Sequence, residues 1–488
     1  MSEAAAPPWY EPAPVAFFTR RPSYPWIVVG TVCVGAFMGQ LDASIAQLVL
    51  PALEREFQAS LSAVSWVALA YLLTVGALLP VFGRLADILG RKMLYTGGFL
   101  VFVTGSALCG FAPSLELLIA ARVLQGVGAV LIQANSVAII VATADVAHRG
   151  RALGLQAAAQ AVGLSAGPML GGLLISTLGW RWIFFLNLPV GLLGSLLALL
   201  ALPQTKRTGQ APRFDWAGAL LLTPAMTALM IALNEGASWG IASPALLGCL
   251  ALGVLLLAGF IRRELRAASP LLDLSLFRDR AFFAGNLAGL LSYGILFGIF
   301  FLLPFAFERI YGASALEAGL RLAVIPIMLG CLAPLSGWLS DRLGPRWLTV
   351  GGMLVAFAAL ALLFLSLDGS PARLWLVTLA LAIFGLGLGL FIAPNNSAIM
   401  SSASAAETGE AGGVLNLMRA FGMSTGIATA AAVLSWQLAA MTGHSVDTLH
   451  APRPDLIAAA HAVVGVFAGF ALLAAAASLI RGRPKPAR

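Results

Sequence analysis

Fourteen apolar runs, most of them about 20 residues long, divide the chain and leave it few folds to adopt. They lie near 26–48, 62–82, 93–112, 115–141, 151–175, 182–202, 215–234, 243–261, 282–305, 317–338, 347–366, 373–396, 411–436 and 457–480. A helix of about 20 residues crosses the hydrocarbon core of a bilayer. Lipid cannot satisfy exposed backbone groups, so runs of this length must be helical. Barrel strands alternate and are about 10 residues long, which excludes a membrane β-barrel. Only 10% of the 488 residues are charged and 60% are hydrophobic, against about 25% charged in soluble domains. The expected fold class is an all-α polytopic membrane protein.

Basic residues fix the expected orientation. With the N-terminus inside, 21 of the 29 Lys and Arg fall in cytoplasmic segments. Five (Arg55, Arg181, Arg309, Arg373, Arg453) fall in external loops, and Arg122, Arg321 and Arg419 fall within spans. This bias is the positive-inside pattern. The net charge of +8 is therefore a topology signal, and no nucleic-acid partner is expected. Cys33, Cys109, Cys249 and Cys331 all sit in apolar runs without metal-ligand spacing, and they read as small buried hydrophobes. No signal peptide is indicated.

The chain repeats itself. Gly83-Arg-Leu-Ala-Asp87-Ile-Leu-Gly90-Arg91-Lys92 recurs as Gly337-Trp-Leu-Ser-Asp341-Arg-Leu-Gly344-Pro345-Arg346. In the fourth spans Gly126, Gly128, Asn135 and Ser136 echo Gly387, Gly389, Asn396 and Ser397. In the fifth, Gly163, Ser165 and Gly167 echo Gly422, Ser424 and Gly426. The expected domains are a cytoplasmic tail (1–25), a six-helix bundle (26–205), a linker with two extra spans (206–265), a second six-helix bundle (266–480) and a cytoplasmic tail (481–488). Parallel repeats of this kind build alternating-access transporters, with the substrate site between the halves.

The motifs carry a family resemblance over about Trp26 to Ile480. Leu41-Asp42-Ala-Ser-Ile-Ala-Gln-Leu-Val-Leu-Pro51 resembles the first-span signature LDxTIVNVALP. Gly83 to Lys92 resembles the loop GxLaDrxGrk, and Arg122-Val-Leu-Gln-Gly126-Val-Gly128 resembles RxxQGxG. Gly163-Leu-Ser-Ala-Gly167-Pro168-Met-Leu-Gly171-Gly172 resembles the antiporter motif, and Trp180 to Pro189 resembles WRWIFxiNvP. Together they resemble the major facilitator superfamily, specifically its fourteen-span drug:proton antiporters (EmrB/QacA-like). That resemblance implies two six-helix bundles plus two extra central helices, and proton-driven export of amphipathic drugs across a bacterial cytoplasmic membrane. The alternative within the same chemistry is a dedicated exporter of one metabolite, lipid or antibiotic. Ser44, Ala46 and Gln47 depart from the Thr, Val and Asn of the first-span pattern.

Asp42 is the one acidic residue well inside a span. An ionised carboxylate there costs about 2.5–3.5 kcal/mol on insertion scales, so it needs a partner, water or a proton. It is the expected proton carrier. Arg122 and Arg419 are its two candidate counter-charges, and the sequence does not choose between them. Gly83, Asp87, Gly90, Arg91 and Lys92 form the expected cytoplasmic gate. Gly163, Gly167, Pro168, Gly171 and Gly172 make a bent, closely packed helix, to which the resemblance assigns antiport.

The resemblance also places a cavity along the first, fourth, ninth and twelfth spans. Gln40, Gln133, Asn286, Tyr293, Phe297, Phe301, Asn395 and Asn396 are its expected lining. Such a pocket suits bulky lipophilic molecules, often cations, with Asp42 as counter-charge. Glu235 and Glu308, near outer span ends, read as solvated rim residues. No lysine sits in a phosphate-binding GxxxxGK[ST] loop. No nucleotide is therefore expected, and with no convergent His/Cys/Asp set no cofactor, metal or enzymatic activity is expected either; the partners are lipid, protons and cargo.

Overall fold

The computed structural model describes residues 11–480 apart from 146–147, 206–214, 241–242, 268–270, 273, 404–407, 443–447 and 449. The side chains of 84, 87, 88, 237, 238, 341, 408 and 409 are also outside the described set. Residues 1–10 and 481–488 of the expected tails, and the start of the expected linker, thus lie beyond it.

All fourteen runs are helices. In order they are Tyr24–Leu48, Leu61–Gly83, Arg91–Phe111, Leu115–Thr143, Arg149–Thr177, Trp182–Ala201, Trp216–Gly236, Pro244–Glu264, Arg280–Ile310, Ala315–Ser340, Pro345–Ser366, Pro371–Ser402, Glu410–Thr442 and Arg453–Ile480. They are called here the first to fourteenth spans. No strand occurs among the described residues. Side chains that satisfy the first free amides begin several of them. Ser60 accepts from the Ala63 amide at 3.2 Å and Ser114 from Leu117 at 3.4 Å. Asp279 accepts from Ala281 and Phe282, and Ser314 from Glu317. After Pro304 the ninth span ends in a π-turn, Ala306–Ile310.

Glycine sets how closely these helices approach, because apolar lipid offers little drive to association beyond packing itself. A Cβ on Gly126 would meet Thr74 of the second span at 2.8 Å, and one on Gly128 would strike the Phe102 backbone of the third. In the second half, Gly385 and Gly389 face the Ile325 and Leu329 carbonyls of the tenth span. Gly387 faces Ala356 of the eleventh at 2.7 Å. The structural equivalent of Gly128 is therefore Gly387, and that of Gly126 is Gly385. This moves the expected fourth-span register by two residues. The fifth-span register holds: Gly163 lies against Phe37 of the first span, as Gly422 lies against Leu290 of the ninth.

The two ends of the bundle differ. At the end away from the termini the halves meet tightly. A Cβ on Gly172 would fall 2.5 Å from the Ala315 carbonyl oxygen, and Gly319 abuts the Pro168 backbone. An ion cluster closes the same end. Arg55 pairs with Glu308 at 3.0 Å, and buried Glu54 accepts from Thr448 at 2.5 Å with Arg309 at 3.9 Å. Glu308 is thus a bridge between halves, where a solvated rim residue was expected. Near the termini, built Cβ atoms on Gly83, Gly150, Gly154, Gly337 and Gly413 meet nothing within 4 Å. The halves are in backbone contact at the far end.

The extra pair is central in sequence and peripheral in space. Its first member, the seventh span, packs on the second and thirteenth spans and so touches both halves. Leu222, Met226 and Met230 share an apolar cluster with Leu73, Leu417 and Phe421. Glu235 accepts hydrogen bonds from Ser62 Oγ and Trp66 Nε1, both at 2.7 Å. Ser65 donates to Asn234 at 2.9 Å. Glu235 is therefore an interhelical acceptor, which corrects the rim assignment.

Overpacking a core costs about 1–3 kcal/mol. Gly426, which abuts the Gly294 backbone, should not tolerate a side chain: Gly426→Val is expected to lower the melting temperature of the purified protein measurably. Gly330 has nothing within 4 Å of a built Cβ, and Gly330→Ala should leave that temperature unchanged within error.

Candidate functional site

Asp42 sits in the last third of the first span with its side chain turned into the first bundle, 0% exposed. Its carboxylate is fully engaged. Arg122 Nη1 of the fourth span lies 2.6 Å from Oδ2. Gln125 Nε2 and Asn187 Nδ2 donate to Oδ1 at 2.8 and 2.9 Å. Arg122 Nη1 also donates to Gln125 Oε1 at 2.7 Å, and its Nε donates to the Val67 carbonyl of the second span at 2.8 Å. Ser106 of the third span accepts from Gln125 and Asn187, and donates to the Phe184 carbonyl at 2.8 Å. Three spans thus meet at one carboxylate, and two more join through its partners. The Arg122 guanidinium also lies over the Tyr71 ring, 4.3 Å from its centroid.

A buried ion pair is tolerated only when its remaining polar atoms are also satisfied. Here every Asp42 oxygen and most of the Arg122 fork has a partner. The chemistry open to such a site is exchange: a proton on Asp42 removes the charge that holds Arg122.

A cleft between the halves runs beside this network. Gly39, Gln40, Ala43, Tyr71, Leu72, Val75 and Gln133 line it from the first half, and Asn416, Arg419, Ala420 and Met423 from the second. In this state it leaves only about 20 Å³, room for a single water. Tyr71 belongs to both places. Its ring carries Arg122 on the bundle side, and the residue lines the cleft.

A family model described as Major Facilitator Superfamily matches residues 32–427. The chain belongs to that superfamily. It is a transporter and not an enzyme, and its fourteen spans fit the superfamily's fourteen-span drug-exporter branch. Among its relatives, the riboflavin transporter RibZ of Clostridioides difficile is 34% identical over 83% of this chain and 87% of that protein. The tetracenomycin C resistance and export protein of Streptomyces glaucescens is also 34% identical, over 83% of this chain and 75% of that one. A solved bacterial homolog of the human lysosomal transporter Spinster shares the fold, with a TM-score of 0.66 at 17% identity, covering 96% of this chain and 100% of that one.

Within this facilitator the expected site residues separate. Of the two candidate counter-charges, Arg122 holds Asp42. Arg419 lies instead in the cleft, 5.2 Å from the Tyr293 ring centroid. Asp42 is therefore absent from the cleft wall, where a cationic cargo would need it. Of the expected lining, Gln40 and Gln133 reach the cleft, and Tyr293 adjoins it through Arg419. Phe297 and Phe301 are 0% exposed and belong to the apolar core. Asn286 and Asn395 are buried, donating to the carbonyls of Phe282 and Gly285. Asn396 is half-buried and outside the cleft lining.

The antiporter stretch divides its contacts. Gly163, Gly167 and Gly171 pack on the first span, while Pro168 and Gly172 pack across the halves on the tenth. In the gate loop Gly83 is open and the Asp87 side chain lies outside the described residues. Gly90 takes a φ of 105°, a conformation that favours glycine, with Glu11 beside it. The Arg91 amide donates to Thr205 Oγ1 at 2.8 Å. Lys92 is 1% exposed and donates to the carbonyls of Pro12 and Leu202 at 2.7 and 2.8 Å. Lys92 is thus a structural pin as well as a topology charge.

Tyr71, Ser106, Asn187 and Asn416 were not among the expected site residues. Gln125 and Asn187 lay inside recognised motifs, so that signal was available. Ser106 and Tyr71 carried none, because only packing brings them to Arg122 and Asp42.

Leaving one partner of a buried pair alone costs about 3–5 kcal/mol. Arg122→Gln should therefore destabilise the purified protein strongly in thermal melts. The double variant Asp42→Asn/Arg122→Gln should recover most of the loss. Equal melting of single and double variants would mean that the pair does not hold the bundle.

Proposed function

We propose that this transporter exports amphipathic compounds in exchange for protons, by alternating access, across a bacterial cytoplasmic membrane with both termini in the cytoplasm. The observation that carries the reading is the shared position of Tyr71. A cargo that fills the cleft presses on Tyr71, and Tyr71 lies against Arg122. Arg122 and a proton compete for the same Asp42 oxygens. Cargo behind Tyr71 keeps Arg122 seated on Asp42 and so keeps the proton off, whereas protonation of Asp42 releases Arg122 toward Tyr71 and the cleft. Cargo and proton thereby exclude one another, which is the requirement for exchange.

The asymmetry of the two ends supports the rocking half of the cycle. With the far end shut by Gly172, Gly319 and the Glu54 cluster, the cleft in this state serves the cytoplasm. Gly83, Asp87, Gly90, Arg91 and Lys92 then act as the cytoplasmic latch that closes when the far end opens. The stretch from Gly163 to Gly172 acts as the hinge, because it touches both its own bundle and the opposite half. Relatives named for single compounds, riboflavin and tetracenomycin C, also favour a second reading, a dedicated exporter of one molecule with the same coupling.

Proteoliposomes with an imposed pH gradient test the coupling. Asp42→Asn keeps the side-chain volume, removes the proton site and leaves Arg122 without its counter-charge, so the folded fraction of the variant should lose gradient-driven transport. Cargo exchange without a gradient should persist. Full gradient-driven transport by Asp42→Asn would remove Asp42 from the proposal.

A further inference from the structure

Charge inside the cleft differs in sign from what the sequence suggests. Asp42, the one carboxylate at this depth of the first bundle, is turned away and neutralised by Arg122. Among the residues lining the cleft, the only charged one is Arg419. No carboxylate lies within ion-pair distance of Arg419 among the described side chains. Its guanidinium rests instead near the Tyr293 ring. Around it the lining offers Gln40, Gln133 and Asn416, three neutral amides able to donate hydrogen bonds.

A lone guanidinium at membrane depth is costly without a partner. A planar fork beside amide donors and an aromatic face matches an oxyanion joined to an aromatic or apolar body. A cation would meet Arg419 as a like charge in low dielectric, with no carboxylate on the wall to offset it. We propose that the cleft is an anion site, in which Arg419 takes the acidic group (carboxylate, phenolate or phosphate) of an amphipathic cargo. Gln40, Gln133 and Asn416 complete its hydrogen bonds, and Tyr71 and Tyr293 lie against its apolar body. The cargo's own charge then neutralises Arg419 while the halves close over it, so the filled cleft crosses the closed state more readily than the empty one. This rests on the export reading for the cleft's role, but binding itself needs no proton gradient.

Three fluorescent probes with one body and different heads separate the possibilities: 1-pyrenebutyrate, its primary amide and 1-pyrenebutylammonium. Saturable binding is measured on the purified full-length protein in detergent, at equilibrium. Pyrenebutyrate should bind about 10-fold or more tighter than the other two. Arg419→Gln should erase that preference, and Arg419→Lys, which keeps the charge, should retain part of it. Gln133→Glu, which places a carboxylate in the cleft, should invert the preference toward the ammonium even if Arg419→Gln proves unstable. Micelle uptake of each probe is common to wild type and variants and cancels in their ratios. Preference for the ammonium, preference for the amide, absence of saturable pyrenebutyrate binding, or an unchanged ratio in Arg419→Gln would each overturn the anion site. The export reading fails separately. If the ammonium binds best and is still driven by a pH gradient in proteoliposomes, the exporter stands without the anion site. If pyrenebutyrate binds as stated but no gradient drives it, the site stands without the exporter.

Discussion

A carboxylate cannot remain charged at the centre of a helical bundle in lipid unless its surroundings replace water, and the first bundle is arranged around that constraint. Asp42 draws Arg122 and Gln125 from the fourth span, Asn187 from the sixth and, through them, Ser106 from the third and the Val67 carbonyl from the second. Each span is held at the depth and rotation that brings its polar group to this point. In a medium where apolar packing discriminates weakly between helix faces, such a network specifies which faces turn inward. The second bundle has no equivalent pair. At the positions equivalent to Arg122 and Gln125 in the corrected register stand Leu381 and Phe384, both buried in apolar core. The halves thus share a backbone plan and divide the charges: a neutralised buried ion pair in one, an arginine facing the cleft in the other.

The contact between the halves at the far end contains almost no side chain. Gly172 and Gly319 let the fifth and tenth spans touch at backbone distance, so a small rotation makes or breaks the contact as a whole. The ion cluster of Glu54, Arg55, Glu308, Arg309 and Thr448 adds a polar lock at the same end. The seventh span lies across the boundary between the halves. Its polar ties, through Asn234 and Glu235, go to the second span, whereas its contact with the thirteenth is apolar. Directional bonds tie this span to the first half, and apolar packing joins it to the second.

Much of this was legible in the residues. All fourteen spans are where the apolar runs lie, because run length against bilayer thickness is a one-dimensional measure. Asp42 stood out for the same reason, as a charge where charge is expensive. The repeat was visible through glycine, yet its fourth-span register was misjudged: in a helix rich in Gly, two residues of slip still align small residues with small ones. Phe297 and Phe301 were expected in the cavity and lie in the core, since an aromatic side chain in a span looks the same in sequence whether it faces a passage or a neighbour. Glu235 and Glu308 looked like rim residues because their partners, Trp66 on the second span and Arg55 in the connection after the first, lie far away in the chain.

The amino-acid order alone determined what kind of object this is: a chain too apolar to be soluble, cut into bilayer-length helices, doubled, and carrying one interior acid that demanded a partner. Those are properties of composition, length and local period, which no folding step can alter. Which arginine answers Asp42, which one is left facing the cleft, and which end of the bundle is shut were decided only by tertiary packing. Arg122 and Arg419 are equivalent as letters. They differ because helix rotation points one into the first bundle and the other into the gap between the two halves.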